Sequence, residues 1–565
     1  MLQLLPSIEH DTEVNRGISL QMYLAEVIKS LVRSERNQQI MCEAGLAGHL
    51  LKIGRVALSE EKNVLHVPLQ YILERLAAQA LQPTELREFL RLGSPLHCEN
   101  IEYGKVYKSG GPVPLTRIKT LVSMTTPRDF RAHGSCTLPP FVEMDMAAEG
   151  FGCLYLPSVA PQAPNVGGSL DAAIIGGIGS GDRIFPPQTG MSYSTWFCVD
   201  KFSDPRTDPH CVRLLTLIRT VNNPREDNLV CLIVLLSARD KAIIVSTQET
   251  LVPHNVGEWE PEGTGDSSAR IWCPDLLHEG QWHHLVVVLN RAVLKNSSFS
   301  LFLDGQHMNT RKLHYISQNP GAGTANLTVA SSVYGFIGTP PAWRRYSRLC
   351  WKQGVSHLIE DVINPQIVST IYALGPHYMG SLQAPQLGKQ MEPLNPLVPE
   401  ERVVFGLNAK AMSNLTLAKI RKVYSRADNK AIAKQLGMSS HENATPIRLV
   451  VFLNHQICFT IYILIAFNFF YSILHNSAGH LAGPARTLGG VVVGYLGVRV
   501  FSPHPVSTMM DTVGGCCVLL GIIAMAQDVE SLYAGVKALT CVVRSNRAAQ
   551  SEMDRKRSYQ VKINN

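Results

Sequence analysis

The residues with the clearest potential for chemistry are two adjacent histidines, His283 and His284, in the stretch QWHHLVVVL. Histidine serves as a zinc ligand and as a general base, so the pair raises the question of a metal or catalytic site. Branched apolar residues follow at once, as they do in a buried β-strand. Because successive side chains of a strand point to opposite faces, the two rings cannot readily bind one ion. The pattern therefore favours a strand of a binding module.

The rest of the sequence offers no coherent set of catalytic or cofactor-binding residues. The glycine-rich stretch IIGGIGSGDR at 174–183 fits neither the dinucleotide-binding nor the P-loop pattern, and no helix signal follows it. The motifs HExxH and GxSxG are missing, as is a catalytic Cys/His spacing. We therefore predict that the protein is not an enzyme and has no catalytic, cofactor-binding or metal-binding residues.

Composition and charge narrow the classes of function further. The 565 residues are 17% charged and 45% hydrophobic, which is a globular composition with room for several domains. The net charge of +7 comes without a basic and aromatic stripe, so we expect no nucleic-acid binding. Thirteen cysteines without a CxxC pair and a polar start without a signal peptide indicate the cytoplasm. The sequons at Asn296, Asn326, Asn414 and Asn443 are then expected to carry no glycan.

The elements that must position the two histidines are short strands. Between residues 101 and 380, apolar segments of strand length alternate with clusters of Gly, Pro, Asn and Asp. The predicted strands are FVEMDM, GCLYLP, YSTWFCVD, VRLLTLI, LVCLIVLL, KAIIVSTQE, HHLVVVLN, FSLFLDG and LTVAS. Their number and spacing predict an antiparallel β-sandwich, with a hairpin turn at Asp304–Gly305.

The pairing of HEGQWHHLVVVLN with FSLFLDGQ resembles the concanavalin A-like or laminin-G-like sandwich. This resemblance implies that Trp282 fills the core where its strand begins and that His283 or His284 packs beside it. It implies no sugar site, because no cluster of Asp and Asn that could hold calcium can be assigned. We expect no cofactor.

Helix signals flank the predicted sandwich. Residues 1–100 contain amphipathic runs, and the junction through Ala44–Gly45 resembles the turn between helices of an armadillo repeat. An ordinary helical bundle stays open as an alternative. Residues 474–550 are predicted to form a second armadillo-like segment, followed by a polar tail at 551–565. The predicted fold class is multidomain α + β.

Between the sandwich and the second helical segment we predict a Pro/Gln-rich linker at 381–410 and a basic helical segment at 411–449. The basic residues from 410 to 448 could bind anionic membrane lipid, although a solvated helix face explains them equally well. They are Lys410, Lys419, Arg421, Lys422, Arg426, Lys430, Lys434 and Arg448, against Asp428 and Glu442.

An apolar run at 450–473 interrupts the helical pattern and contains no charged residue. Its length suffices to span a bilayer, so it is interpreted either as a transmembrane helix or as an insertion that arose from translated non-coding sequence. In either case the sandwich is expected to face the cytoplasm. Membrane association of the chain stays open.

More specific motifs stand at the end of the sandwich and beyond it. They are Trp351, Ile359-Glu360-Asp361, Leu374-Gly375-Pro376-x-Tyr378-x-Gly380, GYLGVRVF, AMAQDVESLYAGVKAL and VVRSN. These motifs resemble the BEACH-domain scaffold family, and within it the branch of autophagy-linked FYVE proteins and their WD repeat/FYVE paralogues. Because this sequence contains no BEACH, WD40 or FYVE module, the resemblance implies a fragment of such a protein.

The family resemblance implies an intracellular scaffold or adaptor linked to selective autophagy of protein aggregates and to membrane trafficking. Its expected partners are proteins of the autophagy machinery and cargo adaptors. The alternative is a membrane-anchored, lectin-like protein, but a cytoplasmic sandwich argues against carbohydrate binding. We predict that Trp282, His283, Trp351, Pro376 and Tyr378 are core and turn residues rather than binding residues.

Overall fold

The computed structural model describes most of the chain and divides it into two compact units. The described residues are 16–93, 98–102, 105–109, 112–126, 138–160, 185–220, 228–252, 259–262, 265–292, 297–317, 333–378, 382, 397–399, 402–412, 448–450, 470–476, 490–493 and 497–556. The helical unit combines the two ends of the chain, residues 1–130, 134–138 and 502–565. The sandwich unit contains residues 131–133 and 139–501.

The α-helices are numbered here along the described chain. They are α1 Arg16–Leu31, α2 Glu35–Glu43, α3 Leu46–Ile53, α4 Arg55–Ser59, α5 His66–Ala77, α6 Pro83–Leu90, α7 Leu115–Thr125, α8 Met146–Glu149, α9 Pro365–Leu374, α10 Val506–Met509, α11 Cys516–Ala524, α12 Val529–Ser545 and α13 Arg547–Lys556. Gly45 adopts a φ of 72° between α2 and α3, a left-handed conformation that glycine tolerates without strain.

The strands are numbered in the same way. They are β1 Cys98–Glu102, β2 Lys105–Ser109, β3 Phe141–Asp145, β4 Gly152–Ala160, β5 Gly190–Lys201, β6 Val212–Thr220, β7 Asn228–Leu236, β8 Ala242–Ser246, β9 Thr250–Leu251, β10 Ser268–Trp272, β11 Trp282–Asn290, β12 Ser298–Leu303, β13 Gln306–Lys312, β14 Val333–Thr339, β15 Cys350–Ile359, β16 Val403–Met412, β17 Arg448–Val450, β18 Phe470–Asn476, β19 Gly490–Val493 and β20 Val498–Phe501.

Both ends of the chain contribute to one core in the helical unit. Helix α7 packs along α12. Buried side chains of α5, such as Leu69 and Ile72, belong to the same apolar cluster as Leu519 and Val542 near the C-terminal end. The backbone joins the two segments as well, because Leu81 N donates to His504 O at 2.9 Å. The helical segments predicted on either side of the sandwich therefore form a single unit. An armadillo-like arrangement stays a prediction.

The sandwich unit consists of two layers of strands. One layer has the order β10-β8-β7-β6-β14-β4, and the other has the order β13-β12-β11-β5-β15-β3-β20. All pairings within these layers are antiparallel. The two layers face each other across an apolar core, since Tyr193 OH on β5 donates to Leu214 O on β6 at 2.8 Å. The predicted combination of helices with an antiparallel sandwich is confirmed.

The strand predictions match the described strands closely. Eight of the nine predicted segments coincide with β3 to β8, β11 and β12. The ninth, LTVAS at 327–331, lies outside the described residues. Phe141 at the start of β3 pairs directly with Phe501 at the end of β20, so the sandwich unit begins and ends on neighbouring strands.

The structure differs from the predicted domain boundaries at several places. Residues 403–410, predicted as linker, and 411–412, predicted as the start of the basic helical segment, form β16, which pairs with β15. Strands β19 and β20 lie within the segment predicted to be helical from residue 474 onwards. Valine, which recurs in both strands, is β-branched and favours strand structure. Strand β19 pairs with β4, and strand β20 pairs with β3. Residues 115–125, predicted within the sandwich domain, form α7 of the helical unit.

Helix α13 extends to Lys556, six residues past the predicted end of the helical segment at 550. Most of the predicted basic segment and the core of the apolar run, residues 413–447 and 451–469, lie outside the described residues. Among the residues that the structure does describe, no single helix has the length and hydropathy to cross a bilayer. One pair, Val506–Val513 and Cys516–Ala524, meets both criteria only when taken together across an 85° bend.

Candidate functional site

The two histidines lie on opposite faces of β11, as strand geometry requires. His283 pairs with Phe197 of β5 and His284 with Trp196. The ring of His284 stacks on Trp196 with centroids 5.0 Å apart, and its Nε2 is 2.8 Å from Ser194 Oγ. His283 instead pairs through Nδ1 with Asp304 Oδ2 at 2.9 Å. The two rings therefore cannot bind a common ion.

The side chain of Asp304, which follows β12, forms hydrogen bonds with residues at the start of β11. Its Oδ1 accepts a hydrogen bond from the backbone N of His284 at 2.8 Å, while its other oxygen pairs with His283. The predicted turn at Asp304–Gly305 is present, and both residues have positive φ angles of 51° and 78°. A Cβ at Gly305 would come within 2.9 Å of Tyr372, whose ring also stacks on Trp196.

This cluster contains serine, histidine and aspartate but does not form a catalytic triad. In a triad one histidine bridges the nucleophile and the carboxylate. Here His284 contacts Ser194, whereas the Asp304 side chain contacts the ring of the other histidine. Ser194 and His284 are also buried, so a substrate could not reach the hydroxyl. The arrangement stabilises the sheet and orients Trp196.

A third histidine lies on the neighbouring strand. His357 of β15 is opposite Ser194 of β5 and is buried. Burial disfavours the charged imidazolium and lowers the pKa of His357 from 6.5 to about 4. The folded protein therefore holds this side chain neutral through the range in which an exposed histidine takes up a proton.

The low pKa of His357 predicts a loss of stability in weak acid. Between pH 6.5 and pH 4 the unfolded chain binds a proton that the folded chain does not, so the free energy of unfolding falls by about 3 kcal/mol in total. Urea denaturation at several pH values measures this, and His357→Gln should flatten the dependence. His307→Gln, which makes the same replacement at an exposed histidine of β13, is the matched control for the loss of a histidine side chain. If the free energy of unfolding of His357→Gln fell with pH as steeply as that of the wild type, His357 would not be the group responsible.

A second cluster brings together possible metal ligands from three strands. Atoms of Glu143, Asp200 and Cys350 lie within 4.8 Å of one another. However, Glu143 pairs with Arg499 and Asp200 with Lys352, each at 2.7 Å. Two cations therefore neutralise the two carboxylates, and the cluster is a partly buried ion network rather than a suitable cation site.

The electrostatics of Lys352 fit this description. Burial alone would lower the pKa of Lys352, but Asp200 and further anionic neighbours raise it above its usual value. The ammonium group also lies 5.0 Å from the centre of the Phe141 ring, which favours a cation. Sequence reasoning missed this network because its members are scattered from residue 143 to residue 499.

The predicted core residues lie where they were expected. Trp282, His283 and Trp351 are buried, and Trp351 keeps only 1% of its surface exposed. Pro376 is buried, and Tyr378 is half-buried against the sandwich core. These side chains therefore contribute to the packing of the sandwich unit.

The helical unit presents a different kind of surface. Helices α1, α5, α7 and α12 pack side by side in this order. Polar contacts join their outer faces, for example Ser123 Oγ donating to Glu74 Oε2 at 2.9 Å. Tyr71 of α5 lies between two cations, Lys29 at 5.6 Å and Arg75 at 5.1 Å from its ring centre.

Several large apolar side chains of these helices are exposed to solvent. They are Leu20, Tyr23 and Leu31 of α1, Val67 of α5, and Val529, Tyr533 and Val536 of α12. Exposed apolar side chains that recur on one face of a helix can form the contiguous apolar surface that marks sites of protein interaction. The spacing of Val529, Tyr533 and Val536 was visible in the sequence, but only the structure shows that this face has no covering element among the described residues.

No protein-family model matches the chain. Among solved structures, the binding domain of Paraclostridial Mosquitocidal Protein 1 is similar over 35% of this chain and 39% of its own, at 11% identity and a TM-score of 0.22. The receptor binding domain of Botulinum Neurotoxin Type G is similar over 33% of this chain and 38% of its own, at 11% identity and a TM-score of 0.19. Structural similarity with TM-scores this low gives no information about function.

Sequence similarity is far more extensive. Human WD repeat- and FYVE domain-containing protein 4 is 35% identical over 99% of this chain, and the mouse protein of the same name is 34% identical over 99%. Protein SPIRRIG of Arabidopsis thaliana is 23% identical over 96% of the chain. The chain spans 18% of the length of the two mammalian relatives and 14% of the plant relative. The resemblance inferred from the sequence motifs is confirmed, and the chain is a relative of one segment of the WD repeat- and FYVE domain-containing proteins.

Proposed function

We propose that this chain is a non-enzymatic scaffold segment that acts by binding other proteins. The observation that carries the proposal is the set of exposed apolar side chains on helices α1, α5 and α12 of the helical unit. By contrast, His283 and His284 are buried in the sheet, and Glu143 and Asp200 are paired with cations. These observations favour association with proteins over chemistry at the described clusters.

The proposed setting is the cytoplasm, and the proposed partners belong to the machinery and cargo adaptors of selective autophagy. Ten described cysteines form no disulfide, which fits a reducing compartment. The link to autophagy and to membrane trafficking rests on the family resemblance. Binding of anionic lipid through the basic residues between 410 and 448 is a further part of the proposal.

Proximity labelling in cells tests this function. A biotin ligase fused to the intact chain should label autophagy proteins and cargo adaptors several-fold above the ligase alone. The matched control is the same fusion without residues 502–565, which should lose the helical unit and with it most of the labelling. Labelling of these proteins no stronger than that by the ligase alone would contradict the proposed function.

A further inference from the structure

One face of helix α12 forms a continuous exposed stripe along the helix. Its members recur every three or four residues, with two adjacent members at 536 and 537, and a rise of 1.5 Å per residue makes the stripe about 22 Å long. They are Val529, Tyr533, Val536, Lys537, Thr540 and Arg544, and they are called the α12 stripe below.

The stripe is not needed to hold the helix in place. The opposite face of α12, with Ala534, Ala538 and Val542, is buried in the core of the helical unit. Three large apolar side chains of the stripe are nevertheless exposed to solvent: Val529 is 81%, Tyr533 67% and Val536 44% exposed. Tyrosine flanked by apolar residues is a frequent anchor in protein interfaces.

The charges of the stripe are arranged asymmetrically. The apolar side chains occupy its first two turns, and the exposed cations Lys537 and Arg544 follow towards the C-terminal end. Within the described part of the chain neither cation forms an ion pair. A third exposed cation, Lys119, lies on α7, the helix that packs against α12. Glu530 at the border of the stripe is its single acidic neighbour on α12.

We propose that the α12 stripe is the docking site for an acidic, amphipathic helix of a partner protein. Anchors at helical spacing along a single helix suit a second helix that lies beside them and presents apolar residues to Tyr533 and its neighbours. Carboxylates one to two turns further along such a helix would meet Lys537 and Arg544. The inference rests on the proposed function, since it names the kind of protein that the scaffold binds.

A display library of helix-forming peptides of about four turns, selected on the intact chain, tests this inference. Selected peptides should combine apolar residues at helical spacing with several Asp or Glu. Fluorescence anisotropy should then show at least tenfold weaker binding to V529S/Y533S/V536S and to K537E/R544E. Higher salt should weaken binding to the wild-type chain. A peptide with Lys in place of its acidic residues should regain binding to K537E/R544E.

The matched control is V56S/V64S, which replaces two exposed apolar residues of the helical unit that lie outside helices α1, α5 and α12 and should bind as the wild type does. Circular dichroism should show the same melting for all variants, because the replaced side chains are exposed. Peptides without acidic residues, or equal binding to the wild type and both stripe variants, would overturn the inference. So would dimerisation of the wild type that V529S/Y533S/V536S abolishes, since a second copy would then occupy the stripe. The proximity-labelling experiment tests the proposed function independently of these peptide-binding results.

Discussion

A chain that lacks residues 502–565 is expected to lose the fold of its helical unit, while the sandwich unit stays folded. The deletion removes buried side chains from the shared core, among them Val506, Met510, Leu519, Ala538 and Val542. At about 1.5–3 kcal/mol for each large apolar side chain, the loss approaches the whole stability of a domain. Hydrogen exchange followed by mass spectrometry should show loss of protection in helices α1 to α7 and retained protection in strands β3, β4 and β5.

Point substitutions on α12 provide a matched control for this deletion. Val542→Asp places a charge at a fully buried position and should reproduce much of the effect, because an unpaired buried charge is costly. Val536→Asp, on the exposed face of the same helix, should leave protection unchanged. If 16–126 stays protected without the C-terminal segment, the two ends do not depend on each other for folding.

Trp351→Ala is expected to destabilise the sandwich unit by about 3–5 kcal/mol, the usual cost of truncating a buried aromatic side chain. Trp351 lies on β15, between β3 and β5, and packs in the main sandwich core. Urea denaturation, read by hydrogen exchange in β5 and β15, measures the change.

The control for this substitution is Trp272→Ala. Trp272 lies at the end of β10 in the same unit but is 58% exposed, so its truncation should change stability by less than about 0.5 kcal/mol. The contrast tests the assignment of Trp351 as a core residue. Unchanged stability in Trp351→Ala together with loss of a bound partner would show that it is a binding residue.

The sandwich could be predicted well because its signals are local. Strands such as LVCLIVLL and HHLVVVLN show β-branched residues over strand length, and the turn at Asp304–Gly305 has its own residue preference. The separation of His283 and His284 follows from the alternation of side chains alone. Each of these features depends on a few consecutive residues.

The features that could not be predicted depend on distant residues. Nothing in the sequence around α7 indicates that α12, about 400 residues later, completes its core. The network of Glu143, Asp200 and Cys350 arises only when β3, β5 and β15 become neighbours. The valines of β19 and β20 stand in short, mostly apolar runs, and periodicity alone does not distinguish a buried helix from a buried strand over so few residues.

The two ends of the chain form one helical unit, and the sandwich unit lies between them in the sequence. Phe141 and Phe501 are paired neighbours, so the first and last strands of the sandwich unit lie side by side. A short Gly/Ser linker should therefore be able to replace 139–501. The most direct measurement is thermal unfolding of this joined protein, 16–138 linked to 502–556, followed by circular dichroism. A helical protein with one cooperative transition is the expected result. A chain without a cooperative transition, or one in which either half folds alone, would contradict the claim.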